Sequence, residues 1–335
     1  MEEKKNRKIT IIRLIKVIVF LAGFVGLSVI VSYMLTPKSS HPESGISYPS
    51  ARGFYGEPEN TIDIVVLGNS CAYSGFSPME LWNKFGFVSY VASEGNQNLG
   101  ESICIFDEVL KHQKPKLLII DVDCFWQTKN EISRIEYSLK AYLYRWFPMF
   151  KYHDRWKTTT MEELFADKQY NYRTTTKGQF LSRDTKAAEK AFVMEKTDEV
   201  EEVPKSSVVF MNILLKKCEE NGIEVLLIDI PANHSWNYAK HNGVEEFAKE
   251  NGLHFIDFSL VTDEKYAINW EKDTRDGGRH LNSYGARKVT RYLGEFIKEN
   301  YPIEDKRGDE AYSQWDEDYK EYKAFMKKGR KNVKK

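Results

Sequence analysis

Two distant parts of the chain carry residues that could together perform nucleophilic chemistry. Ser70 ends the triplet Gly68-Asn69-Ser70 directly after an apolar run, where a parallel strand would turn towards a helix. His280 lies in Asp276-Gly277-Gly278-Arg279-His280-Leu281-Asn282, just before a predicted helix. An imidazole can take the proton of a serine hydroxyl, and a carboxylate on its other nitrogen fixes the tautomer. The pattern predicts a catalytic triad of Ser70, His280 and Asp276.

Each of these residues also has a purely structural interpretation. A serine after a strand can be no more than a helix cap, and His280 can be a residue at a helix start without chemistry. The serine motif is not the Gly-x-Ser-x-Gly elbow, because Ala72 stands where that elbow has its second glycine. The acid is open between Asp276, whose neighbouring glycines let the loop fold back, and Asp273, expected to be a solvated loop charge.

The elements that would position these residues alternate along the chain. Apolar, β-branched runs predict buried strands at 62–67, 117–122, 224–230 and 254–258, with a weaker candidate at 88–92. Helical patterns with glycine stops lie between them, at 79–85, 101–111, 207–221, 244–251 and 283–298. This alternation predicts an α/β fold with a parallel sheet and helices on both faces.

The first residues predict a membrane anchor. Residues 17–35 carry no charge and are long enough to cross a bilayer, and the basic segment 1–16 precedes them. The positive-inside rule then keeps the amino terminus in the cytoplasm and places the domain outside the cell membrane. A cleaved signal peptide is the alternative, but Leu35-Thr36-Pro37-Lys38 offers no small-x-small cleavage site.

The remaining segments divide the chain further. Residues 36–60, rich in Pro, Ser and Gly, indicate a linker before an α/β domain at 61–302. An aromatic-rich interval at about 127–204 interrupts the alternation and is interpreted as an inserted helical cap over the site, or as a packing flap without substrate contact. The tail, 303–335, contains an aromatic stripe at helical spacing and a basic end, interpreted as a docked helix followed by a solvated, disordered terminus.

Composition narrows the function classes. Lys and Arg number 49 and Asp and Glu number 49, so the charge total gives no reason to expect nucleic acid as a partner. The four cysteines are widely spaced without a Cys-x-x-Cys pair, which indicates neither a zinc site nor a disulfide framework. Cys71, beside Ser70, is interpreted as a packing residue because nothing nearby would lower its pKa.

The serine triplet and the Asp-Gly-Gly-Arg-His-Leu-Asn block resemble the SGNH (GDSL-like) hydrolases. The resemblance extends over about residues 54–322. Within this family, the chain is similar to a membrane-anchored branch found in Gram-positive bacteria. Further matching segments are Phe54-Tyr55, Pro58 to Asp63, Gly75 to Pro78, Lys114 to Asp121 and Tyr152 to Trp156. The resemblance implies a flavodoxin-like three-layer α/β/α sandwich and a relation to extracytoplasmic proteins that help esterify cell-surface polymers.

The family's roles fall on particular positions of this sequence. The resemblance places the nucleophile at Ser70, the base at His280 and the acid at Asp276, although the family usually has Asp-x-x-His. Its glycine block falls on Gly95, with Asn96 or Gln97 as a side-chain oxyanion donor. The family's Gly-x-Asn-Asp block has no counterpart after the strand at 117–121, where Val122-Asp123-Cys124 stands instead, and losing one oxyanion donor can lower a rate by ~10²–10³.

The functional expectation is a membrane-anchored serine esterase or O-acyltransferase that needs no cofactor or metal. Its expected partners are the membrane, a cell-surface polysaccharide or wall polymer, and a membrane acyltransferase. The alternative is a non-catalytic surface module of the same fold that binds a polymer or a membrane protein. Asn233-His234, after a predicted strand, is a further candidate for substrate contact.

Overall fold

The computed structural model describes residues 2–189 and 194–333. Four residues of the predicted insertion, 190–193, lie outside the described residues. So do Met1 of the basic amino-terminal segment and Lys334 and Lys335 of the basic end.

A parallel five-stranded sheet forms the centre of the domain. The strands of the protein are β1 (Ile64–Leu67), β2 (Ser89–Val91), β3 (Leu117–Asp121), β4 (Asp184–Thr185), β5 (Glu224–Asp229), β6 (His254–Asp257) and β7 (Lys331–Asn332). The central sheet has the order β2-β1-β3-β5-β6, and β4 pairs separately with β7. All five predicted strands are confirmed, and the direction of winding reverses between β1 and β3.

Helices cover both faces of the sheet, which confirms the predicted α/β/α sandwich. The helices are α1 (Glu2–Leu35), α2 (Ser70–Gly75), α3 (Pro78–Phe85), α4 (Leu99–Val109), α5 (Glu131–Trp146), α6 (Met161–Phe165), α7 (Lys205–Glu220), α8 (Tyr238–Glu250), α9 (Ser283–Asn300) and α10 (Ser313–Lys327). Successive side chains of a strand point to opposite faces, so Val65 and Leu67 join one core with α4, α7 and α8, whereas Ile64 and Val66 join the other with α9.

Helix α1 is long and apolar enough to cross a membrane over Asn6–Leu35. Its apolar side chains are largely exposed, as expected of a helix that contacts lipid rather than a protein core.

The predicted linker at 36–60 is instead folded. It contains two 3-10 helices, Pro42–Ser44 and Pro49–Gly56, and Phe54 is fully buried in the core. Arg52 is partly buried and forms ion pairs with Glu94 and Glu108. The linker prediction was wrong because a few long-range contacts hold a segment whose local composition is typical of a loop.

The insertion also differs from the predicted helical cap. Helix α5 packs along α4, since Gly100 lets the two backbones approach: a Cβ there would lie 2.5 Å from Ser138 Cα. Helix α6 and the neighbouring 3-10 turns contact α1. The part that borders the predicted triad is the extended segment 180–188, so the helices of the insertion support the anchor and the side of the sandwich.

The aromatic stripe of the tail docks as predicted, because Trp315 and Tyr322 of α10 are buried in the core. The basic end, up to residue 333, is exposed as expected, but it is held in place by contacts with the domain instead of being disordered. Arg330 binds Asp273, Lys331 pairs with Asp184, and β7 adds to β4. The described part of this end is therefore joined to the loop that leads to His280.

Candidate active site

Ser70 begins α2 at the carboxyl end of β1. The turn between them needs Gly68, whose φ is +157°, because a Cβ there would lie 2.7 Å from both Ala72 Cβ and Asp121 Cβ. The Asn69 side chain caps α2 by accepting a hydrogen bond from the Cys71 backbone N–H at 2.8 Å. The serine hydroxyl is thus placed where the winding of the sheet reverses, the position at which open α/β sheets bind ligands.

The histidine loop folds back on two glycines. Gly277 and Gly278 adopt positive φ angles of +87° and +101°, which glycine adopts readily. Asn233 holds this turn: its Nδ2 donates to Gly277 O, and its backbone N–H donates to Gly278 O, both at 3.0 Å. Asn233 therefore positions the loop, a role that differs from the substrate contact considered for it, while His234 is exposed and outside these contacts.

The structure brings Ser70, His280 and Asp276 into one hydrogen-bonded chain. His280 Nε2 lies 2.9 Å from Ser70 Oγ, and His280 Nδ1 lies 2.5 Å from Asp276 Oδ2. The second carboxylate oxygen of Asp276 accepts the His280 backbone N–H at 2.8 Å. A carboxylate can only accept from Nδ1–H, so the opposite nitrogen is left to accept the serine proton. His280 and Asp276 are partly exposed, so the site is accessible.

The charge state of Asp276 suits an orienting carboxylate. Partial burial would raise the pKa of Asp276, but the hydrogen bonds from the side chain and backbone of His280, with the charge of Arg275, lower it below its ordinary value. The carboxylate is therefore ionised at neutral pH, the state in which both of its oxygens accept hydrogen bonds from His280.

Asp273, the alternative acid, has a different environment from the one expected. It is buried, and its carboxylate pairs with Lys288 at 2.8 Å and with Arg330 at 3.0 Å. It also accepts the Asn269 backbone N–H at 2.9 Å. The prediction of a solvated charge beside Arg275 was wrong, because tertiary contacts with α9 and with the basic end bury this aspartate.

Asn282 fixes the other end of the histidine loop, a role that was not assigned to it from the sequence. Its Oδ1 caps α9 by accepting from the Tyr284 and Gly285 backbone N–H groups. Its buried Nδ2 lies within hydrogen-bonding distance of three carbonyl oxygens, those of Asp184, Lys272 and Thr274. One side chain thus ties the loop to both α9 and β4.

The three predicted oxyanion residues have different environments. Asn96 is exposed and connects to the serine turn through Gln127, whose Nε2 donates to Asn96 Oδ1 at 3.4 Å and whose Oε1 accepts from Asn69 at 3.0 Å. Gln97 is fully buried, accepts the Glu94 N–H and donates to Ser102 Oγ. The prediction of Gln97 as an oxyanion donor is therefore corrected, because its polar atoms hold the turn around Gly95.

Tyr48 beside Gly95 was missed by the sequence analysis. A Cβ on Gly95 would lie 3.1 Å from the Tyr48 hydroxyl oxygen, so glycine makes room for this ring. Partial burial and the nearby Glu94 and Tyr73 raise the pKa of Tyr48. Tyr48 lies in the segment interpreted as a linker, so only the folding of that segment brings it to the site.

Asp123 and Cys71 flank the turn that carries Ser70. Asp123 lies in the segment that follows β3, and its carboxylate accepts a hydrogen bond from Asn69 Nδ2 at 2.5 Å. Cys71 is buried, and burial, with the nearby Asp123 and other carboxylates, raises its pKa well above the ordinary value. Its predicted packing role is confirmed, since a protonated thiol is a poor nucleophile.

Within residues 2–189 and 194–333, no group of three or more His, Cys, Asp or Glu side chains is arranged to hold a metal ion. The chemistry available at this site is that of the serine, the imidazole and the carboxylate.

The chain shows similarity to several solved structures, at low sequence identity. A GDSL-like lipase from Bacteroides thetaiotaomicron is 12% identical with a TM-score of 0.36, covering 70% of this chain and 87% of the lipase. A psychrotrophic esterase from Pseudoalteromonas is 13% identical with a TM-score of 0.38, covering 70% of this chain and 96% of the esterase. No family model and no curated protein matches the chain. Likenesses at this level assign neither a family nor an activity.

Proposed function

We propose that this chain is a membrane-anchored SGNH-type serine enzyme that acts on acyl esters at the outer face of the cell membrane. The observation that carries the proposal is the unbroken hydrogen-bonded chain from Asp276 through His280 to Ser70 Oγ. Asn233 and the buried Asn282 hold the two ends of the loop, so the arrangement is positioned in advance of substrate binding.

The first half of the reaction transfers the acyl group to the enzyme. Ser70 Oγ attacks the ester carbonyl carbon while His280 Nε2 takes the hydroxyl proton. The bond to the leaving alcohol then breaks, and His280 returns the proton to that alcohol. The acyl group remains on Ser70 as an ester, and Asp276 stabilises the imidazolium in between.

The negative charge on the carbonyl oxygen needs hydrogen-bond donors. The Ser70 backbone N–H at the start of α2, the Gly95 N–H and the Asn96 side-chain amide are the proposed donors. Gln97 is excluded from this set because its side chain is fully buried and its amide bonds to the Glu94 N–H and Ser102 Oγ.

The second half of the reaction decides the activity. A hydroxyl compound loses its proton to His280 and attacks the carbonyl carbon of the acyl-enzyme. The bond between the acyl group and Ser70 Oγ then breaks, and His280 returns the proton to Oγ. Water makes the protein an esterase, whereas a sugar hydroxyl makes it an O-acyltransferase. An anchor that holds the domain beside surface polymers supports acyl esters of polysaccharide or wall polymer as the substrate class.

A fluorophosphonate probe tests the proposal on the full chain in detergent. The probe should label wild-type protein on Ser70, and Ser70→Ala should abolish both labelling and hydrolysis of an aryl acetate. Ser133→Ala, which removes a partly exposed serine of α5 outside the triad, should keep both. Folded wild-type protein that neither labels nor turns over would refute the enzyme.

A non-catalytic binding module is the second candidate, and one observation favours it. Asp123 offers a carboxylate where related proteins have an amide donor, and that carboxylate cannot donate to an oxyanion while ionised. Absence of labelling together with retained binding of a surface polysaccharide would support this candidate.

A further inference from the structure

Part of the insertion is fixed to the last turn of α1. The Met149 backbone N–H donates to Ser32 Oγ at 3.4 Å, and Arg155 Nη1 donates to Leu35 O at 2.9 Å. The Tyr33 hydroxyl donates to Ala166 O at 3.1 Å. We call residues 146–166 the anchor collar, because this segment surrounds the point at which α1 enters the domain.

The collar lies at a definite height along α1. At ~1.5 Å per residue the uncharged span Val17–Leu35 is roughly 28 Å long, close to the ~30 Å hydrocarbon core of a bilayer. With Lys16 at the cytoplasmic boundary, Leu35 reaches the outer boundary and Ser32 lies about one turn below it. Groups that contact Ser32 and Leu35 are therefore level with the outer headgroups.

Large apolar side chains of the collar are exposed at this height. Five of them have between 44% and 72% of their surface exposed, namely Trp146, Phe150, Trp156, Met161 and Phe165. An exposed cluster of this kind marks an interaction site, and tryptophan and other aromatic residues are enriched at the boundary between lipid and water.

The charges of the collar balance. Three basic residues face three acidic ones within 146–166: Lys151, Arg155 and Lys157 against Asp154, Glu162 and Glu163. Attraction to anionic lipid would need a net positive charge, so apolar burial is the driving force this surface offers.

We propose that the anchor collar inserts its exposed aromatic side chains into the outer headgroup region of the bilayer that α1 crosses. The occupant of this surface is lipid rather than a partner protein, because the surface is continuous with the membrane-spanning helix at the depth of the headgroups. Together with the folded segment 36–60, the collar fixes the domain on the membrane instead of tethering it flexibly. This inference rests on the membrane anchoring included in the proposed function.

Site-specific fluorescence in bilayers tests the collar. The four native cysteines are buried, so an introduced exposed cysteine can be labelled with an environment-sensitive dye on the full chain. Trp156→Cys and Phe165→Cys report on the collar. Leu27→Cys, an exposed position within α1, reports on the anchor, and Val209→Cys on α7 is the exposed apolar control.

The labelled proteins are placed in phosphatidylcholine vesicles that carry a lipid quencher either just below the headgroups or at the bilayer centre. Collar labels should shift to the blue and lose more intensity with the shallow quencher, and the Leu27 label should lose more with the deep one. The Val209 label should stay solvent-like. Adding phosphatidylglycerol should leave the collar result unchanged.

Three results would overturn the collar proposal, and each would reject a different part of it. Solvent-like collar labels beside a quenched Leu27 label would reject the collar and keep the anchor. A blue shift without lipid quenching would show that protein, such as a second copy, covers the collar. A requirement for phosphatidylglycerol would reject the apolar driving force. An unquenched Leu27 label would instead reject the membrane anchoring itself.

Discussion

Two aspartates of the histidine loop have separate tasks that depend on their surroundings. Asp276 is partly exposed and bonds both Nδ1 and the backbone N–H of His280. Asp273 is buried and paired with Lys288 and Arg330. The first arrangement orients an imidazole, whereas the second holds α9, the loop and the basic end together.

We expect Asp276→Asn to remain folded and to lose up to ~10⁴ in turnover, because the amide no longer fixes the tautomer of His280. Aryl acetate kinetics and circular dichroism on the same preparation would measure both effects. The stability that Asp276 adds should be present above its ordinary pKa of ~3.9 and disappear as the pH falls through the lower folded value.

Asp273→Asn is the matched control in the same loop. It should lower the melting temperature, because two cations lose their buried partner, and retain most of its turnover wherever it is folded. Wild-type turnover in Asp276→Asn with a collapse in folded Asp273→Asn would reverse the two roles.

The carboxyl group of Asp121, at the end of β3, is a group whose protonation depends on whether the chain is folded. Asp121 is fully buried at the carboxyl end of the strand, and its Oδ2 has no hydrogen-bond partner within the described residues. Burial and the neighbouring Asp123 raise the pKa of Asp121 well above its ordinary value. The folded protein therefore holds a proton here that the unfolded chain releases above pH ~4.

We expect Asp121→Asn to become increasingly more stable than wild type as the pH rises above the unfolded pKa of ~4 towards the raised pKa of folded Asp121. Wild type loses up to ~1.4 kcal/mol per pH unit at this site between the unfolded and folded pKa values, and the amide does not titrate. Melting curves across pH would measure the widening gap. Asp198→Asn, at an exposed position, should show a constant gap, and a constant gap for Asp121→Asn would show that Asp121 is ionised.

A buried lysine joins three elements that are far apart in sequence. Lys177 Nζ lies 2.6 Å from Glu57 Oε1 and 2.8 Å from Asp318 Oδ2, and it also lies over the Trp315 ring. It connects the segment before β1, the extended part of the insertion and α10. Arg173 pairs with the same two carboxylates.

We expect Lys177→Met to lower the free energy of unfolding by about 3–5 kcal/mol, because two buried carboxylates would then share Arg173 alone. Lys216→Met removes an exposed partner of Glu220 and should change the same quantity by less than ~1 kcal/mol. Denaturant titration of the full chain in detergent would compare them. Similar values for both variants would show that the buried cluster adds little stability.

At the scale of the whole molecule, orientation across the membrane follows from charge. The basic residues that precede the uncharged span 17–35 should keep the amino terminus inside, and the domain should be outside. In cells stripped of their wall, added protease should degrade the domain after residue 36 and leave the amino terminus protected. A protected domain, or a mature amino terminus beyond residue 30, would refute this topology.

The sequence by itself determined the alternating architecture and the three residues of the proposed triad. Strand periodicity, glycine stops and the serine and histidine blocks are local patterns, and local patterns suffice where each element is buried on its own predictable face. Ser70 and His280 could be paired because parallel strands end at one edge of the sheet.

Only the tertiary structure decided which polar residues are free to act. Asn233 and Asp273 were candidates by type and position, and each is occupied by partners that are distant in sequence. Gln97 is fully buried and bonds to its neighbours Glu94 and Ser102 instead of facing the site. Tyr48 reaches Gly95 because buried Phe54 and the ion pairs of Arg52 hold a loop-like segment against the core. Hydrogen bonds and ion pairs over long sequence distances leave no periodic signal, so the fold was needed to show them.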